Sequence, residues 1–263
     1  MISVRLLAPF RVSRDGEELA LQHKQILLIQ ALYCASGPVI ADALMRKIWE
    51  QPKAGSRQTL RSHVSRIGKA VAAAGGQPGE LVVTGRLDAA QFTYELADGL
   101  DIDVDRFRQL AFDGSATVRD SDYRHGAKLL AEALSLWGGT PDDDRRPMPE
   151  AASCTFAVDR RKALRTARKN ALLDMLTAYI SLGRHQEAVA ELEQVAKEFP
   201  REEKALRLLA IALYRSERMA DATDVCRKAI TALHTTGHHD GHFQELQQGI
   251  LNRTLPFRGS ITG

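Results

Sequence analysis

Between Glu50 and Glu80 the chain carries no acidic residue, while Lys53, Arg57, Arg61, Arg66 and Lys69 all fall in that stretch. Cations without counter-charges attract an anion, so the first question is how they are displayed. Leu60, Val64, Ile67 and Val71 recur at steps of 4, 3 and 4. At about 100° per residue they form one narrow apolar stripe on a helix starting at Ser56, a good N-cap, and reaching Ala73. The opposite side then carries Gln58, Ser62, Ser65, Arg66 and Lys69, with Thr59, Arg61 and His63 on its flanks. These side chains suit base edges: Arg and Lys pair with guanine O6/N7, Gln with adenine N6/N7, and short hydroxyls with bases or phosphates. Lys53 and Arg57, at the N-terminal end, suit phosphate, helped by unbonded backbone N–H groups. A merely solvated helix mixes Glu with Lys for mutual support, and gains little from Ser and Thr. The composition therefore predicts contact with duplex DNA.

The flanking elements say what holds that helix out. Val4, Leu6 and Ala8 alternate with Arg5 and Leu7, Asp15-Gly16 makes a turn, and Leu19 and Leu21 follow, which predicts a small N-terminal sheet. Helices are expected from His23 to Ala35, stopped by Gly37-Pro38, and from Ile40 to Trp49, stopped by Pro52. Beyond Gly75-Gly76 and Pro78-Gly79, Leu81–Val83 and Phe92–Leu96 predict a hairpin, with Arg86 at its tip directed to the minor groove or its phosphates. Strands, three helices and a hairpin make a winged helix whose third helix is free to enter a groove. From Asp101 on, the pattern is helical, with candidates at 103–112, 121–137, 150–181, 185–198, 202–215, 219–234 and 242–253. A shift of 34 lays Ala178–Phe199 over Ala212–Leu233, the period of tetratricopeptide helix pairs, which stack and bind proteins.

The fold class expected is mainly α with small β, a winged helix over residues 1–98 and an all-α tetratricopeptide-like domain over 99–263. Residues 1–98 hold 12 Lys+Arg against 9 Asp+Glu and the remainder 24 against 24, so the whole net charge of +3 lies in the first part. No apolar run approaches the length of a membrane span, and the N-terminus lacks the pattern of an export signal; a cytoplasmic protein is expected. Cys34, Cys154 and Cys226 lie far apart and read as reduced structural thiols.

Other constellations carry less. His238 and His242 stand four apart, beside His234 and His239, but Gly237 and Gly241 interrupt any helix that would align them. Asp142–Asp144 lacks the glycine and distal glutamate of a calcium loop. Arg160, Arg161, Arg165, Arg168 and Lys169 read as the solvated face of an amphipathic helix. No phosphate-binding, nucleophile-elbow or zinc-protease pattern occurs, so neither catalysis, cofactor nor metal is expected.

The run RQTLRSHVSRIGKAV, the opening VRLLAPFRVSRDGEELAL with HKQILLIQALYCASGPVIADALMRKIWE, and the later LLAEALSLWGG and GRHQEAVAELEQVAKEFPREEKALRLLAIALYRSERMADA resemble the Streptomyces antibiotic regulatory proteins. That family joins an OmpR-type winged helix to a bacterial transcriptional activation domain of tetratricopeptide type. The resemblance implies an activator that binds direct repeats beside a promoter as a dimer on DNA. It implies recruitment of RNA polymerase through its sigma factor, in a secondary-metabolite or antibiotic-biosynthesis pathway. Against the family's Arg-Asn-Thr-Leu-Gln-Thr-Tyr-Val-Ser-Arg-Leu-Arg-Arg, the residues Arg57, Thr59, Leu60, Val64, Ser65, Arg66 and Lys69 match in type. Gln58, Arg61, Ser62 and His63 differ, as does Gly68, which replaces a base and predicts fraying of the helix end at about 1 kcal/mol. The wing departs too: residues 86–91 lengthen its loop and Phe92-Thr93-Tyr94 replaces the closing turn. Two other functions fit the same elements: a tetratricopeptide adaptor whose winged helix binds protein, and a repressor that blocks polymerase.

Overall fold

A computed structural model describes residues 1–49, 51–53, 55–88, 91–138, 147–234 and 241–254. The chain divides into two compact units, Met1–Gln109 with Ser135–Arg168, and Leu110–Leu134 with Lys169–Gly263.

The first unit opens with strands β1 (Ile2–Arg5), β2 (Arg11–Arg14) and β3 (Glu17–Glu18). Asp15 and Gly16 both take positive φ, 51° and 93°, the geometry that a two-residue hairpin needs to match strand twist. Helices α1 (His23–Ala35), α2 (Ala41–Ile48) and α3 (Ser56–Ala73) follow, with β4 (Val39–Ile40) between the first two. Strands β5 (Val82–Arg86) and β6 (Phe92–Leu96) form the wing, and β7 (Asp101–Ile102) closes the first sheet. That sheet runs β3-β2-β1-β7, with β7 parallel to β1, and the second runs β4-β6-β5. Neither β4 nor β7 was expected: each is two residues long, too short to alternate, and exists only because a neighbour supplies hydrogen-bond partners.

Leu28, Leu32, Leu44, Leu60, Ile67 and Tyr94 are fully buried and clamp the three helices against the wing. Helix α1 ends at Ser36 in the left-handed conformation (φ 55°), just before Gly37-Pro38. Helix α3 spans the expected residues, but its cap is corrected: Gly55 occupies the cap position with φ 90°, while Ser56 is the first helical residue and its Oγ accepts the Lys53 N–H at 2.8 Å. Gly68 is also corrected. It is buried, the helix continues past it to Ala73, and an added Cβ would lie 3.3 Å from Pro78 Cβ. The missing side chain lets the 78–81 segment close on α3. Arg14 braces the far end of α3, donating from Nη1 to Ala74 O at 3.1 Å and from Nε to Glu80 at 3.1 Å, a cation at the negative pole of the helix.

Residues far beyond the wing complete this unit. Asp103, 8% exposed, accepts the Leu6 and Leu7 N–H groups at 2.9–3.0 Å. Burial raises its pKa to about 6 against the pull of those N–H bonds. Glu150 accepts Phe10 N–H and Gln30 Nε2–H, both at 2.9 Å, and the Met148 N–H donates to Leu6 O at 2.7 Å. Trp137 packs edge-on to Phe107, centroids 5.3 Å apart.

The remaining helices are α4 (Asp103–Arg119), α5 (Tyr123–Ser135), α6 (Val158–Ser181), α7 (His185–Glu198), α8 (Glu203–Arg215), α9 (Met219–His234) and α10 (Gly241–Leu251). The helix expected at 103–112 is longer by two turns, and the one expected at 150–181 begins only at Val158 after two 3-10 turns, Pro149–Ala151 and Thr155–Ala157. The 34-residue repeat holds bond for bond. Arg184 N donates to Tyr179 O at 2.9 Å and Arg218 N to Leu213 O at 2.9 Å; Arg184 Nε reaches Glu187 at 2.8 Å and Arg218 Nε reaches Asp221 at 2.7 Å. Both turns need a left-handed residue, Gly183 (φ 82°) in one and Glu217 (φ 63°) in the other. No helix among the described residues is long and apolar enough to cross a membrane.

Candidate nucleic-acid interface

Leu60, Ile67 and Val71 are buried and Val64 half-buried, so the apolar stripe turns α3 with Arg57, Gln58, Thr59, Arg61, Ser65, Arg66 and Lys69 exposed and Ser62 half-exposed. Lys53 is exposed on the segment before the helix. The structure brings these side chains onto one surface of the first unit without placing any carboxylate on α3 itself.

Each exposed group is prepared differently. Arg57 is held by Asp42 of α2, donating from Nε to Oδ1 at 2.9 Å and from Nη2 to Oδ2 at 2.6 Å. These bonds hold the Asp42 carboxyl below its ordinary pKa. The pair uses two of five guanidinium donors, and three remain. Thr59 Oγ1 donates to Gly55 O at 3.3 Å and Ser62 Oγ to Gln58 O at 3.0 Å, so both hydroxyls spend their proton on the helix and offer lone pairs outward. Arg66 makes one long contact, Nη1 to Gln22 Oε1 at 3.4 Å, weak enough to be given up readily. Gln58, Ser65 and Lys69 project without a side-chain partner among the described residues.

His63 turns inward, its ring 6.1 Å from Trp49. Burial first, then the charges of Arg66 and Lys24, lower its pKa, which leaves the imidazole neutral at pH 7. Arg86 does not sit at the loop tip. It is the last ladder residue of β5, directly opposite Phe92. Arg61 and Arg86 both lie over the Phe92 ring, Cζ to centroid 4.4 and 5.0 Å. Burial raises the Tyr94 phenol above its ordinary pKa, against the pull of the nearby Arg61 charge.

Sequence reasoning missed Asp42, Gln22, Phe92, Tyr94 and Arg14, the residues that hold the arginines and brace the helix. Each belongs to another element, so helical periodicity in α3 could not point to them. Residues 142–144, His238 and His239, and the side chain of His234, lie outside the described residues.

An OmpR-like winged helix followed by paired helices of 34-residue period is the architecture of a transcriptional regulator with a helical effector region. Residues 102–251 match the bacterial transcriptional activator domain family. The chain belongs to that family, among the Streptomyces antibiotic regulatory proteins. It is similar to the regulatory protein AfsR of Streptomyces coelicolor, 31% identical over 252 residues, covering 94% of this chain and 24% of that protein. It is similar also to the transcriptional regulatory protein EmbR of Mycobacterium tuberculosis, 28% identical over 232 residues, covering 87% of this chain and 57% of that one. A solved structure of M. tuberculosis EmbR, in complex with a low-affinity phosphopeptide, superposes with a TM-score of 0.81 at 25% identity, over 97% of this chain and 66% of the other. The chain thus spans about a quarter of AfsR and just over half of EmbR.

Proposed function

We propose that this chain is a sequence-specific DNA-binding transcriptional activator, and not an enzyme. Residues 1–98 bind duplex DNA and residues 99–263 engage the transcription machinery. The observation that carries this reading is the acid-free polar face of α3, turned outward by buried Leu60, Ile67 and Val71. Arg66 reads a base from the major groove, as do Gln58, Thr59, Ser62 and Ser65, while Lys53, Arg57 and Lys69 neutralise phosphates. Names of the relatives support regulation of transcription, and the family resemblance supports direct repeats, a dimer on DNA, and recruitment of RNA polymerase with its sigma factor. The setting is the cytoplasm and the target a secondary-metabolite pathway.

Footprinting over the promoters adjoining the gene tests it, giving site, spacing and protomer number. Arg66→Ala is expected to weaken the cognate site by about 1–3 kcal/mol, and affinity to fall steeply with salt. A chain that binds DNA with no salt dependence and no preferred sequence overturns the proposal. Transcription with purified polymerase separates activation from repression.

A further inference from the structure

Arg61 of the recognition helix and Arg86 of the wing share one aromatic ring, and the charges around them do not balance. A cation over a ring face is held through its π surface and keeps its N–H donors free. Neither arginine has an ion-pair partner among the described residues. The neighbouring carboxylates are committed elsewhere. Both oxygens of Asp42 are taken by Arg57, and Asp88 Oδ1 accepts the Gln91 N–H at 2.8 Å. Glu95 projects to the other face of β6 from Phe92 and Tyr94, because side chains alternate along a strand. A cleft of about 30 Å³ opens beside the ring, lined by Asp42, Arg57, Arg61, Phe92 and Tyr94 among others.

We propose that Arg61, Arg86 and Phe92 form a single phosphate clamp that grips one backbone phosphodiester of the DNA where helix and wing meet. This assignment rests on the DNA-binding reading above. It goes beyond the roles the sequence suggested, in which Arg61 flanks a base-reading face and Arg86 by itself reaches the minor groove or its phosphates. A base edge in the major groove engages one guanidinium fork, whereas a phosphodiester offers a full negative charge and two free oxygens, which two guanidinium groups held over one ring can share. Phe92 is the positioning residue. Two of the places where this chain departs from the family pattern, position 61 and the segment at 92, meet in this contact.

The test uses the full chain and a 30-base-pair duplex recovered by it from a random-sequence pool, with a scrambled duplex beside it. Arg61→Gln and Arg86→Gln are each expected to weaken both duplexes alike and to lower the slope of log affinity against log salt by about 1. The double variant loses no more slope than either single one. Phe92→Leu reproduces the single losses while Phe92→Tyr binds as wild type, with circular dichroism showing both folded. One methylphosphonate position in the duplex abolishes the effect of both arginine variants. Losses that multiply, with a slope change of about 2, or losses confined to the recovered duplex, overturn the clamp and leave DNA binding standing. A wild-type chain that recovers no duplex overturns both.

Discussion

Glu150→Ala should unsettle the first unit although Glu150 lies 140 residues from the backbone N–H of Phe10 that it accepts. Its two oxygens take the Phe10 N–H and the Gln30 Nε2–H, each at 2.9 Å, and Gln30 is fully buried. Removing the carboxylate strands both donors. A hydrogen bond to a charged acceptor contributes about 1.5–3 kcal/mol, and partial solvent access at Glu150 and Phe10 lowers the combined loss to about 2–4 kcal/mol. That is a large share of the roughly 5–15 kcal/mol by which a domain is stable. The chain's two tryptophans, Trp49 and Trp137, both belong to the first unit, so urea unfolding followed by their fluorescence reports this unit alone. A variant whose unfolding free energy stays within about 0.5 kcal/mol of wild type would refute the assigned role, because a surface change with no buried partner costs no more than that. A fragment ending at residue 98 also lacks Asp103, which satisfies the Leu6 and Leu7 N–H groups, and is expected to unfold earlier than the Glu150→Ala variant.

The pH dependence of Asp103 has a definite sign. Its folded pKa of about 6 lies above the usual 3.8, so the folded chain holds a proton that the unfolded chain has released. This contribution is full below pH 3.8 and is lost as pH rises through about 6, a change of about 3 kcal/mol. Asp103→Asn removes it, so the stability of wild type minus variant should fall by that amount between pH 3.5 and 7 in parallel urea titrations; a flat difference would defeat the reasoning. In the helical repeat, Glu217→Gly should stabilise by about 0.5–1 kcal/mol, since Glu217 is exposed and holds φ 63° where its equivalent is Gly183. Gly183→Glu should destabilise by about 1–2 kcal/mol. Thermal unfolding monitored at 222 nm checks both, and equal signs for the two variants would contradict the repeat alignment.

Much of the shape of the candidate interface was legible in the sequence. The 4-3-4 spacing of Leu60, Val64, Ile67 and Val71 set the length and facing of α3, and the absence of acids marked its outer side. The 34-residue step located both repeat turns. What escaped was whatever depended on a second element. Ser56 looked like a cap because its chemistry permits one, yet the chain approaches α3 through a left-handed Gly55. Gly68 looked like a weak point until Pro78 was found against it. Arg57, Arg61 and Arg66 all read as unpaired cations in sequence and proved to be paired, stacked and nearly free, respectively.

Local periodicity and charge by themselves determined where the helices lie, which face of α3 is wet and where the repeat turns. Those properties follow from 3.6 residues per turn and from the cost of burying charge, and both act within a few neighbouring residues. Only the tertiary structure decided which arginines are restrained, and that Asp103 and Glu150 finish the unit that carries α3. Those outcomes depend on groups up to 140 residues apart meeting at hydrogen-bond distance, a condition set by packing and invisible to any local pattern.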